Sequence, residues 1–415
     1  MKNPVILILI LCMSISSFKK TKASLSGAGQ TMADNTVLQD SLQVIEENVT
    51  SSLLKYRQQL ELLRNEFSGA DMPGVKFFLF GMGNRTKLLY KSGKLINSIT
   101  GKVVHEWQVK SETIIPNDYQ VNIETLSAVK VIIFENEKGV FINDKGKETL
   151  IAGTETPLLL PAFEEYKYSE VLKELHHEIL INIVDSKPLP NYFVYKNPWR
   201  RDGAMMAMCL KETGNLGLIR NWALSLNDPY DRNNAGETEA DNLGQTLYIL
   251  SFFTDKNNTL VAKILEETQK YEVSDGRGKY IKGHTDFHEA PVYQTKWLKY
   301  GLKALNLPDD YTIPMVQDDY SVLFWWDYKD SYMPGTIDTY NIDKYPYLGW
   351  ACDNFHGKKT SPVSNRDYPL TWEIDASQAD YNGMAIVDEI YVTARNSSPH
   401  TWHASEVFLY LLKIK

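Results

Sequence analysis

Residues 197–210 read NPWRRDGAMMAMCL, and how this stretch is read decides the fold of the chain. Ala204 to Leu210 form an apolar run of helical character, and Arg201 and Asp202 stand just ahead of it. An Arg and an Asp held beside a Trp can grip neighbouring sugar hydroxyls, the guanidinium donating and the carboxylate accepting, while indole covers an apolar sugar face. The plainer alternative is a helix start with Asp202 in a capping position and Arg201 paired nearby. Spacing alone weighs the two equally.

Working outward, the helical period recurs through the second half of the chain. Tyr168, Val171, Leu172, Leu175, Ile179 and Ile183 mark one helix, and apolar segments at 218–226, 243–253, 260–268 and 292–305 mark others. The loops between them are dense in Asp, Asn, Glu, Trp and Tyr. Helices alternating with such loops predict a mainly α fold, a compact (α/α) toroid whose loops converge on a polar, aromatic-lined pocket.

The first half reads differently. Apolar residues from Val37 to Phe67 recur at steps of three and four, which predicts one long amphipathic helix ending near Gly69. Residues 75–150 carry short strand-like runs punctuated by Gly81, Gly93 and Gly101, which predicts a small β-rich N-terminal module. Gly81-Met82-Gly83 lacks the third glycine of a dinucleotide loop and fits a hairpin. The expected organisation is a targeting segment at 1–23, a tether and helix at 24–74, the module at 75–160 and the helical domain at 161–415.

Composition narrows the function. Among 415 residues, 52 acidic against 44 basic side chains give a net charge of −8, which argues against a nucleic-acid partner because phosphate binding needs a basic face. Lys2, the apolar run from Val5 to Met13 and the serines after it read as an export signal, placing the protein in the periplasm or outside the cell. Nine apolar residues fall short of the roughly 18 that span a bilayer, so no membrane span is expected. Cys12 is an alternative lipidation point. Cys209 and Cys352 read as buried thiols sooner than as a bridge or a nucleophile.

Two further clusters carry chemistry. Glu237, Glu239 and Asp241 precede an apolar helix, where carboxylates are favoured by the helix dipole, yet they could also bind sugar hydroxyls. Trp325, Trp326, Trp350, Trp372, Glu373, Asp380 and Tyr381 alternate aromatic faces with polar groups, as a carbohydrate pocket requires. Trp350 and Trp372 are the members expected beside a ligand. His284 and His288 are four apart, but Pro291 places them before a helix instead of on one, so no metal site and no cofactor are expected. No Gly-x-Ser-x-Gly elbow occurs.

The segment Trp199-Arg200-Arg201-Asp202-Gly203-Ala204 resembles the Trp-x-Arg-Asp-small-small segment of the glucoamylase-type glycoside hydrolases, family 15, of the six-hairpin glycosidase superfamily. In that family the Arg and Asp hold the terminal sugar, so the resemblance implies this role for Arg201 and Asp202. Residues 284–304, with Glu289 ahead of a helix carrying Gly301 and Ala304, are similar to the segment that supplies the catalytic acid, and Glu289 takes its place. The segment from Ser398, with Trp402, Ala404 and Glu406, is similar to the closing Trp-x-x-Ala-Glu segment, and Glu406 takes the place of the base. Asp241 stands where the family has a pocket-lining Asp, and Glu239 or Glu237 is the reserve acid.

The resemblance covers residues 197–415 and implies an exported, exo-acting, inverting glycoside hydrolase that cleaves terminal sugars, α-glucosides among them. Inversion needs one protonated and one ionised carboxyl about 6.5–9.5 Å apart. Two alternatives are a polysaccharide lyase, using Tyr or His to remove a proton from an acidic sugar, and a non-catalytic glycan-binding protein.

Overall fold

Helix and strand follow the burial pattern of the chain. The computed structural model describes residues 51–63, 75–154, 156–276, 278–314, 316 and 368–413. Residues 51–63 form α1, with Leu53, Tyr56, Leu60 and Leu63 buried at steps of three and four. The rest of the helix expected from Val37 to Phe67 lies outside the described residues, as do the targeting segment, Cys352, Trp325, Trp326 and Trp350. No described helix is long and apolar enough to cross a membrane.

Two antiparallel meanders follow α1. The first orders β1 (Phe78–Phe80), β2 (Leu88–Lys91), β3 (Lys94–Asn97) and β4 (Val103–Glu106). The second orders β5 (Val109–Ile115), β6 (Gln120–Thr125), β7 (Lys130–Glu135), β8 (Gly139–Asp144) and β9 (Lys147–Gly153). On β6 and β7 alternate residues turn inward, Val121 opposite Ile133 and Ile123 opposite Val131. The tight β1–β2 connection requires glycine, because a Cβ on Gly81 would stand 2.1 Å from the Thr86 carbonyl oxygen.

These sheets pack on α2 (Ser169–Ile181). The His177 ring stacks on Phe78 at 4.8 Å and on Tyr119 at 5.6 Å, and its Nε2 lies 2.8 Å from the Leu79 carbonyl oxygen. Burial holds His177 neutral, its pKa lowered to about 4. It therefore serves as an aromatic filler with one polar tie across the interface.

After α2 come the hairpin β10 (Ile183–Val184) with β11 (Lys187–Pro188), then α3 (Arg200–Glu212), α4 (Arg220–Ser225), α5 (Asp241–Ser251) and α6 (Thr259–Thr268). Two more hairpins, β12 (Glu272–Asp275) with β13 (Gly278–Ile281) and β14 (His284–Thr285) with β15 (His288–Glu289), precede α7 (Pro291–Ala304). Near the end β16 (Glu373–Ile374) pairs with β17 (Asn396–Ser397) around α8 (Glu389–Thr393), and α9 (Thr401–Leu411) closes the chain. Leu243, Leu247, Leu260, Ile264, Leu298 and Leu302 form one apolar core among α5, α6 and α7. Helices α5 and α7 touch through glycine, since a Cβ on Gly244 would stand 2.2 Å from the Trp297 carbonyl carbon.

The expected helices appear where the apolar period placed them, but the mainly α toroid does not. The chain is mixed α/β, 38% helical and 23% strand, with a five-stranded and a four-stranded antiparallel sheet. The two meanders carry most of the strand, and the helical part adds more. Polar, aromatic loops read as the rim of a toroid instead pair as two- to four-residue hairpins between short helices. This arrangement brings the starts of α3, α5 and α9 together, joined by contacts between Arg201 and Asp241 and between Asp202 and Thr401.

Candidate functional site

Arg201, in the first turn of α3, is a hub for three carboxylates. Its Nε donates to Asp241 Oδ2 at 3.2 Å, its Nη1 to Asp286 Oδ2 at 2.5 Å and its Nη2 to Glu239 at 3.3–3.4 Å. Asp241 opens α5, Glu239 sits two residues before it, and Asp286 occupies the turn of the β14–β15 hairpin. That turn is locked to the site: the Asp286 N–H donates to Glu239 Oε1 at 2.6 Å. Asn234 Nδ2 donates to both Glu239 and Asp286 at 3.4 Å. Gln245, one turn into α5, donates to Asp241 at 2.8 Å and to the Tyr293 hydroxyl at 3.2 Å.

Asp202, the next residue of α3, belongs to a second cluster. Its Oδ1 accepts from the Thr401 hydroxyl at 3.1 Å. Beside Thr401 stands His400, whose Nε2 lies 2.8 Å from Glu373 Oε2. The same Glu373 oxygen accepts from the Tyr195 hydroxyl at 2.5 Å. Tyr195 meets the rings of Trp199 and His400 edge to face, and the Arg201 guanidinium lies 5.9 Å from the Trp199 ring centroid. Two consecutive residues, with Cα atoms about 3.8 Å apart, thus hold two acidic clusters side by side.

The clusters differ in electrostatic state. Burial, reinforced by Asp241 and Asp286, raises the Glu239 carboxyl to about 7 despite the neighbouring Arg201. Asp202 is likewise pushed by burial, and by the Glu373 charge, to about 6. Burial, with the Asp286 charge, raises Asp241 as well. Glu373 goes the other way. Burial opposes its charge, but the His400 cation, joined by hydrogen bonding from His400 and Tyr195, outweighs that and lowers it to about 2. His400 responds in kind: burial favours the neutral ring, yet Glu373 and Asp202 raise its pKa. Tyr195 is pushed well above its ordinary value by burial and by Glu373. Acids whose environments drive them apart in this way suit proton donation and charge stabilisation in one site.

The residues expected from sequence fall into three groups. Arg201, Asp202, Glu239 and Asp241 come together as buried members of the clusters, with Trp199 half-buried at their edge. Trp372 precedes Glu373 and is buried, and Trp402 on α9 is buried with its ring 6.4 Å from that of Tyr293. Glu406 is buried on α9, one turn beyond Trp402. By contrast, Glu237 is exposed, and Glu289 lies on β15 with its side chain 55% exposed and paired to Lys282 at 2.8 Å. Among the described residues no group of three or more His, Cys, Asp and Glu side chains has an arrangement that could hold a metal ion. Cys209 is buried inside α3, its thiol pushed up by burial, so it is no nucleophile.

Among the participants that carried no assigned role in the sequence are Asn234, Asp286, Tyr195 and His400. Asp286 was hidden by its turn. A two-residue hairpin turn with positive φ at both central positions normally announces itself as Asn-Gly or Asp-Gly. Here Asp286 (φ 46°) and Phe287 (φ 67°) adopt it instead. Comparison with protein-family models, with curated proteins and with solved structures finds no match to this chain.

Proposed function

We propose that this chain is an exported glycoside hydrolase that removes a terminal sugar, with Glu239 as proton donor to the leaving oxygen and Glu373 as the ionised carboxylate of the reacting centre. The observation that carries the reading is the opposite displacement of these two acids. Glu239, raised to about 7, is about half protonated at neutral pH, whereas Glu373, lowered to about 2, is ionised. That division is what glycosidic cleavage requires of its carboxyl pair. Arg201, which donates to Glu239, and Asp202, which feels the Glu373 charge, would hold the sugar hydroxyls, with Trp199 offering an aromatic face at the edge.

The reading moves the donor from Glu289 to Glu239 and the ionised partner from Glu406 to Glu373. A general acid needs burial or a like charge to keep its proton near neutral pH, and Glu289 is exposed beside a lysine. Lyase chemistry fits less well. Its proton acceptor would be Tyr195 or His400; burial and Glu373 raise the Tyr195 pKa, and Glu373 raises that of His400 against burial, so neither is made a better base.

The test is release of reducing sugar from a panel of oligosaccharides, with proton NMR following the first anomer formed. Inversion is the expected outcome. Glu239→Gln and Glu373→Gln should each lower kcat/KM by at least a hundredfold with the fold intact. Full activity in either variant, or an unsaturated product absorbing in the ultraviolet, would reject the mechanism.

A further inference from the structure

One oxygen of Glu373 carries both of its side-chain partners. The Tyr195 hydroxyl donates to Oε2 at 2.5 Å, and His400 Nε2 lies 2.8 Å from the same oxygen. Among the described residues nothing donates to Oε1, and the side chain keeps 14% of its surface exposed. A carboxylate tied at both oxygens is a structural link. One tied at a single oxygen is fixed in orientation and still has lone pairs to offer, which is what a proton acceptor requires.

His400 is itself fixed from behind. Its backbone N–H donates to the Thr371 hydroxyl at 3.1 Å, and that hydroxyl donates in turn to Glu178 Oε2 at 2.7 Å. Glu178 stands fully buried on α2, where its other oxygen accepts from the Leu370 N–H. Glu373 lies two residues after Thr371 and pairs with Ser397 across β16 and β17. Ring and carboxylate therefore sit on two segments joined to each other and to the core.

The other groups facing this pair bring no competing cation. His403, one turn into α9, is held neutral by burial, its pKa lowered to about 3. Tyr195 and Tyr381 are raised by burial and by Glu373, and Asp202 on α3 adds negative charge. We propose that His400 is a positioning residue for Glu373, holding Oε2 as a fixed cation so that Oε1 is presented to the reacting water. Glu373 takes its role here from the hydrolase reading; His400 is the residue that keeps it ionised and aimed.

The test reads the two groups directly in the full chain. Carbon NMR of a glutamate-labelled sample follows the Glu373 carboxyl, assigned by its loss in Glu373→Gln, and a histidine-labelled sample follows the His400 ring, assigned by its loss in His400→Gln. His400→Gln keeps an N–H donor without the charge, and it should weaken Glu373 as an acid by at least about tenfold. Glu373→Gln should weaken proton binding by His400 by a similar factor, a reading that stands whether or not His400→Gln folds. In cleavage of the oligosaccharide panel, His400→Gln should gain an acid limb that the wild type lacks, with kcat falling and KM unchanged. A histidine that only filled space would lower activity equally at every pH. A Glu373 carboxyl that titrates alike with and without His400, or a His400 ring unmoved in Glu373→Gln, would overturn the inference. A wild-type chain that cleaves no sugar while both titrations shift defeats only the hydrolase reading, whereas cleavage with both titrations unmoved defeats only this one.

Discussion

At the residue scale, the acids of the site make pH the sharpest probe. If Glu239 must carry a proton, kcat/KM should stay level up to about pH 7, where its carboxyl titrates, and then fall roughly tenfold per pH unit. Glu373, lowered to about 2, adds no acid limb of its own in the ordinary range. A second prediction concerns stability. Asp202 titrates near 6 in the folded chain against about 3.9 when unfolded. Its raised pKa favours folding below about pH 4, and that contribution is lost as pH rises towards 6, because the native state then holds a buried charge the unfolded chain would hold in water. Asp202→Asn cannot ionise. Relative to the wild type it should gain about 2–3 kcal/mol between pH 4 and pH 7, read from urea unfolding at the two values. A constant difference would show that Asp202 stays ionised. Sequence made Arg201 and Asp202 legible because an unusual residue pair sits beside a helix start. It could not supply His400 or Asp286, whose importance comes from elements more than 80 residues away that happen to meet α3.

At the element scale, what was legible depended on length. Helices α5, α6 and α7 print their apolar period on the sequence and lie within two residues of where it places them, while α3 begins four residues before its apolar run. Hairpins such as β14–β15, with two residues a strand, print nothing, because a period of two needs several turns to show. The mixed fold class follows from both: the two meanders, expected only as a small module, carry most of the strand, and the short hairpins add the rest. The α5–α7 contact gives the element-scale prediction. Gly244 tolerates no Cβ, which would stand 2.2 Å from backbone of α7, and Gly301 is nearly as tight, 2.5 Å from the Leu247 Cβ. Alanine has the better helix propensity, by about 1 kcal/mol, so a propensity argument predicts that Gly244→Ala stabilises. Packing should win. The helices must part, and a net loss of about 2–3 kcal/mol is expected by urea denaturation. Gly217, with nothing within 4 Å of its missing Cβ, is the control, and Gly217→Ala should change stability by less than about 0.5 kcal/mol.

At the scale of the whole molecule, the question is whether the sheets and the helices that carry the site unfold together. The ties between them are specific. The Gly83 N–H donates to the Leu180 carbonyl at 2.9 Å, His177 meets the Leu79 carbonyl, and Lys91 pairs with Asp388 beyond the site at 3.0 Å. The two sheets are themselves pinned by Glu135 of β7. Its carboxylate accepts from the Gly81 and Met82 N–H groups and from Arg85 at 2.7–2.8 Å, with both charged side chains fully buried. Removing one partner of such a pair costs about 3–5 kcal/mol, since the other charge stays buried and uncompensated. Glu135→Gln should therefore destabilise by that order. The informative result is where the loss appears. Trp107 is the one tryptophan before Trp199, so its fluorescence, isolated by comparison with Trp107→Phe, reports the sheets, while far-ultraviolet circular dichroism is dominated by the helices. If the packing of α2 on the sheets couples them, both probes should shift to lower urea by the same amount, and activity should vanish along the same curve. A fluorescence transition that moves alone, leaving helices and activity in place, would show that the sheets are an independent appendage and that the site needs nothing from them.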